Sequence, residues 1–183
     1  MRPLFRASLF LICTCALGCE RAADVEHPTH YDHNGISFDY PGNWEIESDE
    51  VDPDGFRTII IGTPGDGVAM VQHFKDSPAV GLEEYAKLFS EMTRAEMPFG
   101  DVSEGQYKPY TYTTKQGSRK LKGIQQNFDI TVLDEHVPHA RGYFGFDEHL
   151  PNTVMICQVA SEDLGKVRPG CDLVLDRLMV AAP

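Results

Sequence analysis

The run Val154-Met155-Ile156-Cys157-Gln158-Val159-Ala160 constrains the fold more tightly than any other segment. Successive side chains of a strand point to opposite faces. Met155, Cys157 and Val159 fall on one face, Val154 and Ile156 on the other, and both sets are apolar. A strand of this kind belongs in the middle of a sheet with cover on both sides. The chain of 183 residues is long enough for one such domain with a tail. With 42% hydrophobic and 24% charged residues, it can bury a real core, which excludes wholesale disorder. Lys and Arg number 16 against 28 Asp and Glu, a net charge of −12. That balance repels phosphate backbones and excludes nucleic acid as an expected partner.

The flanking pattern supplies the rest of the sheet and its cover. Ile36, Phe38 and Tyr40 alternate with Ser37 and Asp39, and Trp44 to Glu47 alternates again after the Pro41-Gly42-Asn43 turn. Thr58-Ile59-Ile60-Ile61 predicts a buried strand, paired through the 63–67 turn with Val68 to Phe74. The acidic stretch between Glu47 and Gly55 reads as a solvated loop. Leu82, Tyr85, Ala86, Phe89 and Met92 then recur at helical spacing, with Glu83 and Glu84 in the first turn. Strand patterns follow over 102–114, through Ile124, Phe128, Ile130 and Val132, and over 141–146. A short amphipathic helix through Cys171, Val174, Leu175 and Leu178 closes the chain. Short turns between neighbours favour antiparallel pairing. The expected fold is therefore α+β, a sheet of about six to seven antiparallel strands covered by two helices.

Residues 1–19, MRPLFRASLFLICTCALGC, read as a targeting segment. Arg2 and Arg6 precede an uncharged apolar stretch from Ala7 to Leu17, too short to span a bilayer. A small residue before a cysteine at the end of such a segment resembles the bacterial lipobox. That resemblance implies acylation of Cys19, removal of residues 1–19, and an extracytoplasmic lipoprotein moored by fatty chains such as palmitate. Glu20 after the cysteine is compatible with the outer membrane by the same resemblance. The alternatives are plain secretory cleavage near Ala22-Ala23 and a retained anchor. Residues 20–34 are polar without apolar period and predict a flexible tether, and 35–183 a single globular domain.

Loss of the leader removes Cys13 and Cys15. Cys157 and Cys171 remain as an even pair in an oxidising compartment. They are candidates for a disulfide, the alternative being two buried thiols packed as small hydrophobes.

The opening Gly35-Ile36-Ser37-Phe38-Asp39-Tyr40-Pro41-Gly42-Asn43-Trp44-Glu45-Ile46 is similar to the start of PsbP-like domains. The helix beginning Leu82-Glu83-Glu84-Tyr85-Ala86 and the closing Asp172-Leu173-Val174-Leu175-Asp176-Arg177-Leu178 sit where that fold places its helices. The resemblance implies an α/β/α sandwich with an antiparallel sheet, over about residues 35–180. It also implies an accessory or binding role rather than an activity, and it brings no functional residues and no cofactor.

The sequence holds no Gly-x-Ser-x-Gly elbow, phosphate loop or His-Glu-x-x-His pair. Gly62, Gly65 and Gly67 fit a hairpin turn rather than a dinucleotide loop. His27, His30 and His33 recur every third residue and suit a divalent metal, or else simply solvate the tether. His136 and His139 fit a loop between two strands. Tyr107, Tyr110 and Tyr112 offer an aromatic binding face, or else pack the sheet beneath a helix. The expected function is a lipid-anchored, non-catalytic accessory protein outside the cytoplasm. It would be held to the membrane through its N-terminal lipid and docked to a protein or envelope component. A small-ligand or divalent-metal-binding module is the alternative, and an unidentified enzyme the third reading.

Overall fold

The computed structural model describes residues 21–65, 67–75, 80–97, 100–115, 119–146 and 152–181. In chain order the elements are β1 (Thr29–His33), β2 (Ile36–Tyr40), β3 (Glu45–Val51), β4 (Arg57–Gly62), β5 (Val68–His73), α1 (Leu82–Ala95), β6 (Asp101–Val102), β7 (Gln106–Thr113), β8 (Lys120–Val132), β9 (Glu135–Gly145), β10 (Thr153–Ala160), α2 (Leu164–Arg177) and β11 (Met179–Val180). A single 3₁₀ turn, Ser161–Asp163, leads into α2. The main sheet has eight strands and runs β3-β4-β5-β10-β9-β8, with β6 and β7 both paired to the far edge of β8. A second sheet of three strands runs β1-β2-β11. All the pairings are antiparallel.

Strand β10 lies between β5 and β9, and its two apolar faces feed two cores. Val154 and Ile156 join Ile124, Tyr143, Ala86 and Phe89, so α1 roofs one face of the main sheet. Met155, Cys157 and Val159 join Ile59, Ile61 and Val71 on the other face. There α2, through Val167, Val174 and Leu175, and β2, through Ile36 and Phe38, provide the cover. The result is an α+β sandwich in which every layer follows from side-chain parity. Helix α2 packs unusually close to the turn after β2. A Cβ at Gly170 would come within 2.4 Å of the Trp44 indole, so only a hydrogen fits there.

Five local expectations are corrected. Residues 21–34, the described part of the expected tether over 20–34, are docked rather than free, because β1 pairs along its whole length with β2. The Asn34-Gly35 turn joins them, with φ of 46° and 80° at its two residues. Just before it, the Ala23 N–H donates to the Lys166 carbonyl and the Gly42 N–H to the Asp24 carbonyl. The acidic stretch after Glu47 is strand as far as Val51, paired with β4. The 102–114 pattern is two strands, β6 and β7, and Pro109 is tolerated because β7 pairs only with β8. His136 and His139 lie inside β9 rather than in a loop, since the turn from β8 needs only Leu133-Asp134, at φ of 50° and 65°. The C-terminal helix starts at Leu164, a full two turns before Cys171, and carries Pro169 in its interior.

Candidate functional site

Cys19 lies outside the described residues. Cys157 and Cys171 are joined as a disulfide, with Cα atoms 6.3 Å apart. It ties the central strand β10 to α2. The fourteen-residue separation closes a loop worth about 3 kcal/mol on chain-entropy grounds.

The histidine cluster is not assembled as a metal site. His27 Nδ1 lies 3.1 Å from the Asp24 carboxylate, His30 Nδ1 2.7 Å from Asp39, and His33 Nδ1 2.9 Å from Asp49. A spacing of three puts His30 and His33 on opposite faces of β1, so the imidazoles diverge. Among the described residues no group of three or more His, Cys, Asp or Glu is placed to hold a metal ion.

The tyrosines do not share a face either. Tyr112 is buried on the α2 side, and its hydroxyl donates to Asp176 at 2.9 Å. Burial first, and the Asp176 bond second, push its phenol well above the usual tyrosine range. Tyr110 packs on the same side. Tyr107, of opposite parity, packs on the α1 side, where its hydroxyl oxygen accepts from Gln126 Nε2 at 3.1 Å.

Two buried arginines were not singled out by the sequence. Arg57 is 5% exposed and begins β4. Its Nε and Nη2 donate to the two oxygens of Asp49, each at 2.8 Å. Nη1 donates to the carbonyls of His33 and Asn34, which clips the small sheet to the large one. The Tyr31 hydroxyl donates to Asp49 at 2.6 Å. The Arg57 bonds hold the Asp49 carboxyl far below the usual carboxylate range, against the opposing effect of its burial. Burial and the Asp49 bond push the Tyr31 phenol up to about 12.

Arg141 is 4% exposed and lies in the middle of β9. Its Nε donates to Gln158 Oε1 at 2.6 Å. Nη1 reaches the Tyr143 hydroxyl oxygen at 3.0 Å, with longer contacts to Gln126 and Thr93. The guanidinium carbon stands 4.7 Å from the centre of the Phe128 ring and 5.2 Å from that of Phe89. Among the described residues no carboxylate pairs with it, and Nη2 has no acceptor.

This side chain borders a cavity of about 250 Å³ between α1 and the sheet. Its walls are Val68, Met70, Phe89, Phe128, Ile130 and Ile156, and its polar atoms come from Arg141, Gln158 and Thr93. A second, smaller cleft of about 100 Å³ lies on the α2 side over the disulfide, with Tyr110 and Arg168 at its rim. There the Arg168 guanidinium donates to the Tyr110 hydroxyl oxygen at 3.1 Å. The cavity beneath α1 is the candidate site, because it combines apolar walls with a buried guanidinium that no carboxylate pairs with among the described residues.

No helix among the described residues is long and apolar enough to cross a membrane. No family model matches the chain, and no curated protein matches it. Two solved structures are similar in part. One is PA94 of Pseudomonas aeruginosa, a protein of unknown function. It is 12% identical, with a TM-score of 0.37 over 86% of this chain and 99% of that one. The other is LpqN, involved in cell envelope biogenesis of Mycobacterium tuberculosis. It is 10% identical, with a TM-score of 0.37 over 85% of this chain and 90% of that one. Likenesses this distant carry no argument about function, and the site's own chemistry has to supply it.

Proposed function

We propose that the chain is a lipid-anchored, extracytoplasmic binding domain of PsbP-like kind that holds a small molecule without transforming it. The observation that carries the binding half is the cavity beneath α1. A general acid–base or nucleophilic mechanism needs a carboxylate, an imidazole or a thiol within reach of the reacting atom. The described lining offers Arg141, Gln158 and Thr93 set in hydrocarbon and none of those groups. Such a lining binds and orients. This favours the small-ligand reading over docking to a protein.

The address rests on the leader and on the disulfide. Disulfides persist outside the reducing cytoplasm, and this one staples the middle of the sheet. Export and anchoring are tested together by metabolic labelling with palmitate, membrane fractionation and alkylation of free thiols. The expected result is a labelled, membrane-bound protein whose Cys157 and Cys171 react only after reduction. The Cys19→Ser variant should take up no label. A full-length, unlabelled protein in the cytosol whose Cys157 and Cys171 are alkylated without reduction would overturn the reading.

A further inference from the structure

We propose that the cavity beneath α1 is a site for a small monocarboxylate with a hydrocarbon tail, its anionic oxygen held by Arg141. The proposal deepens the binding reading of this same cavity and does not depend on the anchor.

A buried cation is tolerated when it is paired or fully hydrogen-bonded. Arg141 is 4% exposed. Its Nε and Nη1 are used by neutral oxygens of Gln158, Tyr143, Gln126 and Thr93. Phe128 and Phe89 present their rings to the guanidinium. These contacts soften the charge without cancelling it, because none of them is an anion. Nη2 makes no hydrogen bond to the described residues and is not sealed from solvent, so its N–H groups are open to water or to a ligand.

The rest of the polar network fixes that geometry in advance. Tyr143 donates its hydroxyl to Gln126 Oε1 at 3.0 Å, which leaves its oxygen to accept from Arg141. Gln126 is itself locked, its Nε2 donating to Ser90 Oγ at 2.8 Å and to the Glu104 carbonyl at 3.1 Å. Nε and Nη1 of the guanidinium are therefore held in place by fixed oxygens. Preorganised donors of this kind lose little entropy when a ligand arrives.

The walls define the remainder of the ligand. Val68, Met70, Ile130 and Ile156 present apolar side chains, with Phe89 and Phe128 beside the charge. A volume of about 250 Å³ suits a molecule on the order of ten heavy atoms. An apolar tail gains by leaving water, and a charged head gains by meeting the unpaired cation in a medium of low dielectric. Acetate lacks the tail and a fatty alcohol lacks the charge, so octanoate is the natural probe.

Isothermal titration of the full chain as isolated from cells tests this, with protein-free solution of the same detergent or lipid content as blank. Octanoate should bind saturably at one site. It should bind at least tenfold more tightly than acetate and than 1-octanol, and be recovered unchanged. Arg141→Met should weaken octanoate at least tenfold and leave 1-octanol alone, whereas Ile156→Phe, which fills the cavity, should weaken both. No saturable octanoate heat, or equal affinity for octanoate and 1-octanol, would overturn the proposal. So would an Arg141→Met variant that binds octanoate as the parent does. Should that variant fail to fold, the comparison of octanoate with 1-octanol on the parent protein decides alone. Failure of palmitate labelling leaves this titration unaffected, so the two readings fail separately.

Discussion

Arg57 and Arg141 are equally buried, at 5% and 4% exposure, and they solve the same electrostatic problem in opposite ways. Arg57 meets its carboxylate face to face and spends its remaining donors on two backbone carbonyls. Its charge is neutralised within the fold, and what it achieves is the joining of two sheets. Arg141 meets neutral oxygens and aromatic rings and borders a largely apolar cavity. Burial alone therefore does not distinguish a structural cation from a functional one. The difference lies in whether the protein itself supplies the counter-charge.

The largest effect expected from this contrast follows from removing the carboxylate. Asp49→Ala leaves Arg57 buried and unpaired and should lower the unfolding free energy by about 3 kcal/mol in urea melts. A loss within a few tenths of a kcal/mol would erase the contrast.

The pH dependence sharpens it next. Arg57 holds the Asp49 carboxyl below its ordinary value of 3.8, so in acid the unfolded chain binds the proton more readily than the folded one. Stability from this group is then fully present above that ordinary value and falls as pH drops through the lower folded one. At the alkaline end Tyr31 behaves oppositely. Its folded pKa of about 12 lies above the ordinary 10.0, so its contribution is complete below 10.0 and is lost as pH rises through the folded value. Melts across pH should show both limbs, and Asp49→Asn should flatten the acid one.

Tyr31→Phe removes the hydroxyl donated to Asp49 and should cost about 1 kcal/mol. The smallest effect belongs to Arg141→Met. Without ligand it should match the parent within about 1 kcal/mol or melt higher, because an uncompensated charge gives way to hydrocarbon. A loss as large as that of Asp49→Ala would make the two arginines alike.

Much of this architecture was legible in the sequence because parity and helical period are set by burial. Thr58 to Ile61, the Leu82 helix and the two-sided apolar strand at Val154 all stand where their patterns place them. Strand β1 was missed because it is the edge of the small three-stranded sheet and all its residues but Tyr31 are polar and exposed. The Asn34-Gly35 dipeptide, a strong hairpin signal, was available to find it. The first half of α2 was hidden by Gly165, Pro169 and Gly170, which weigh against a helix until packing on Trp44 overrides propensity. Neither arginine was singled out in the sequence. Their parity was the available signal, since Arg57 shares a face with Ile59 and Ile61, and Arg141 with Tyr143. What no pattern carried was the absence of a carboxylate opposite Arg141, because that depends on which strands and helix meet there.

The docking of Ala22 to Asp24 against the Asn43 side chain and the start of α2 also sets a leash length. With Cys19 acylated, two residues, Glu20 and Arg21, would lie between the lipid and the first docked position, a span of about 10 Å at full stretch. On the proposed anchoring, a body held that closely would not tumble freely above the bilayer. It would keep one pole toward the headgroups, and the anchor would set the height and tilt of the cavity beneath α1.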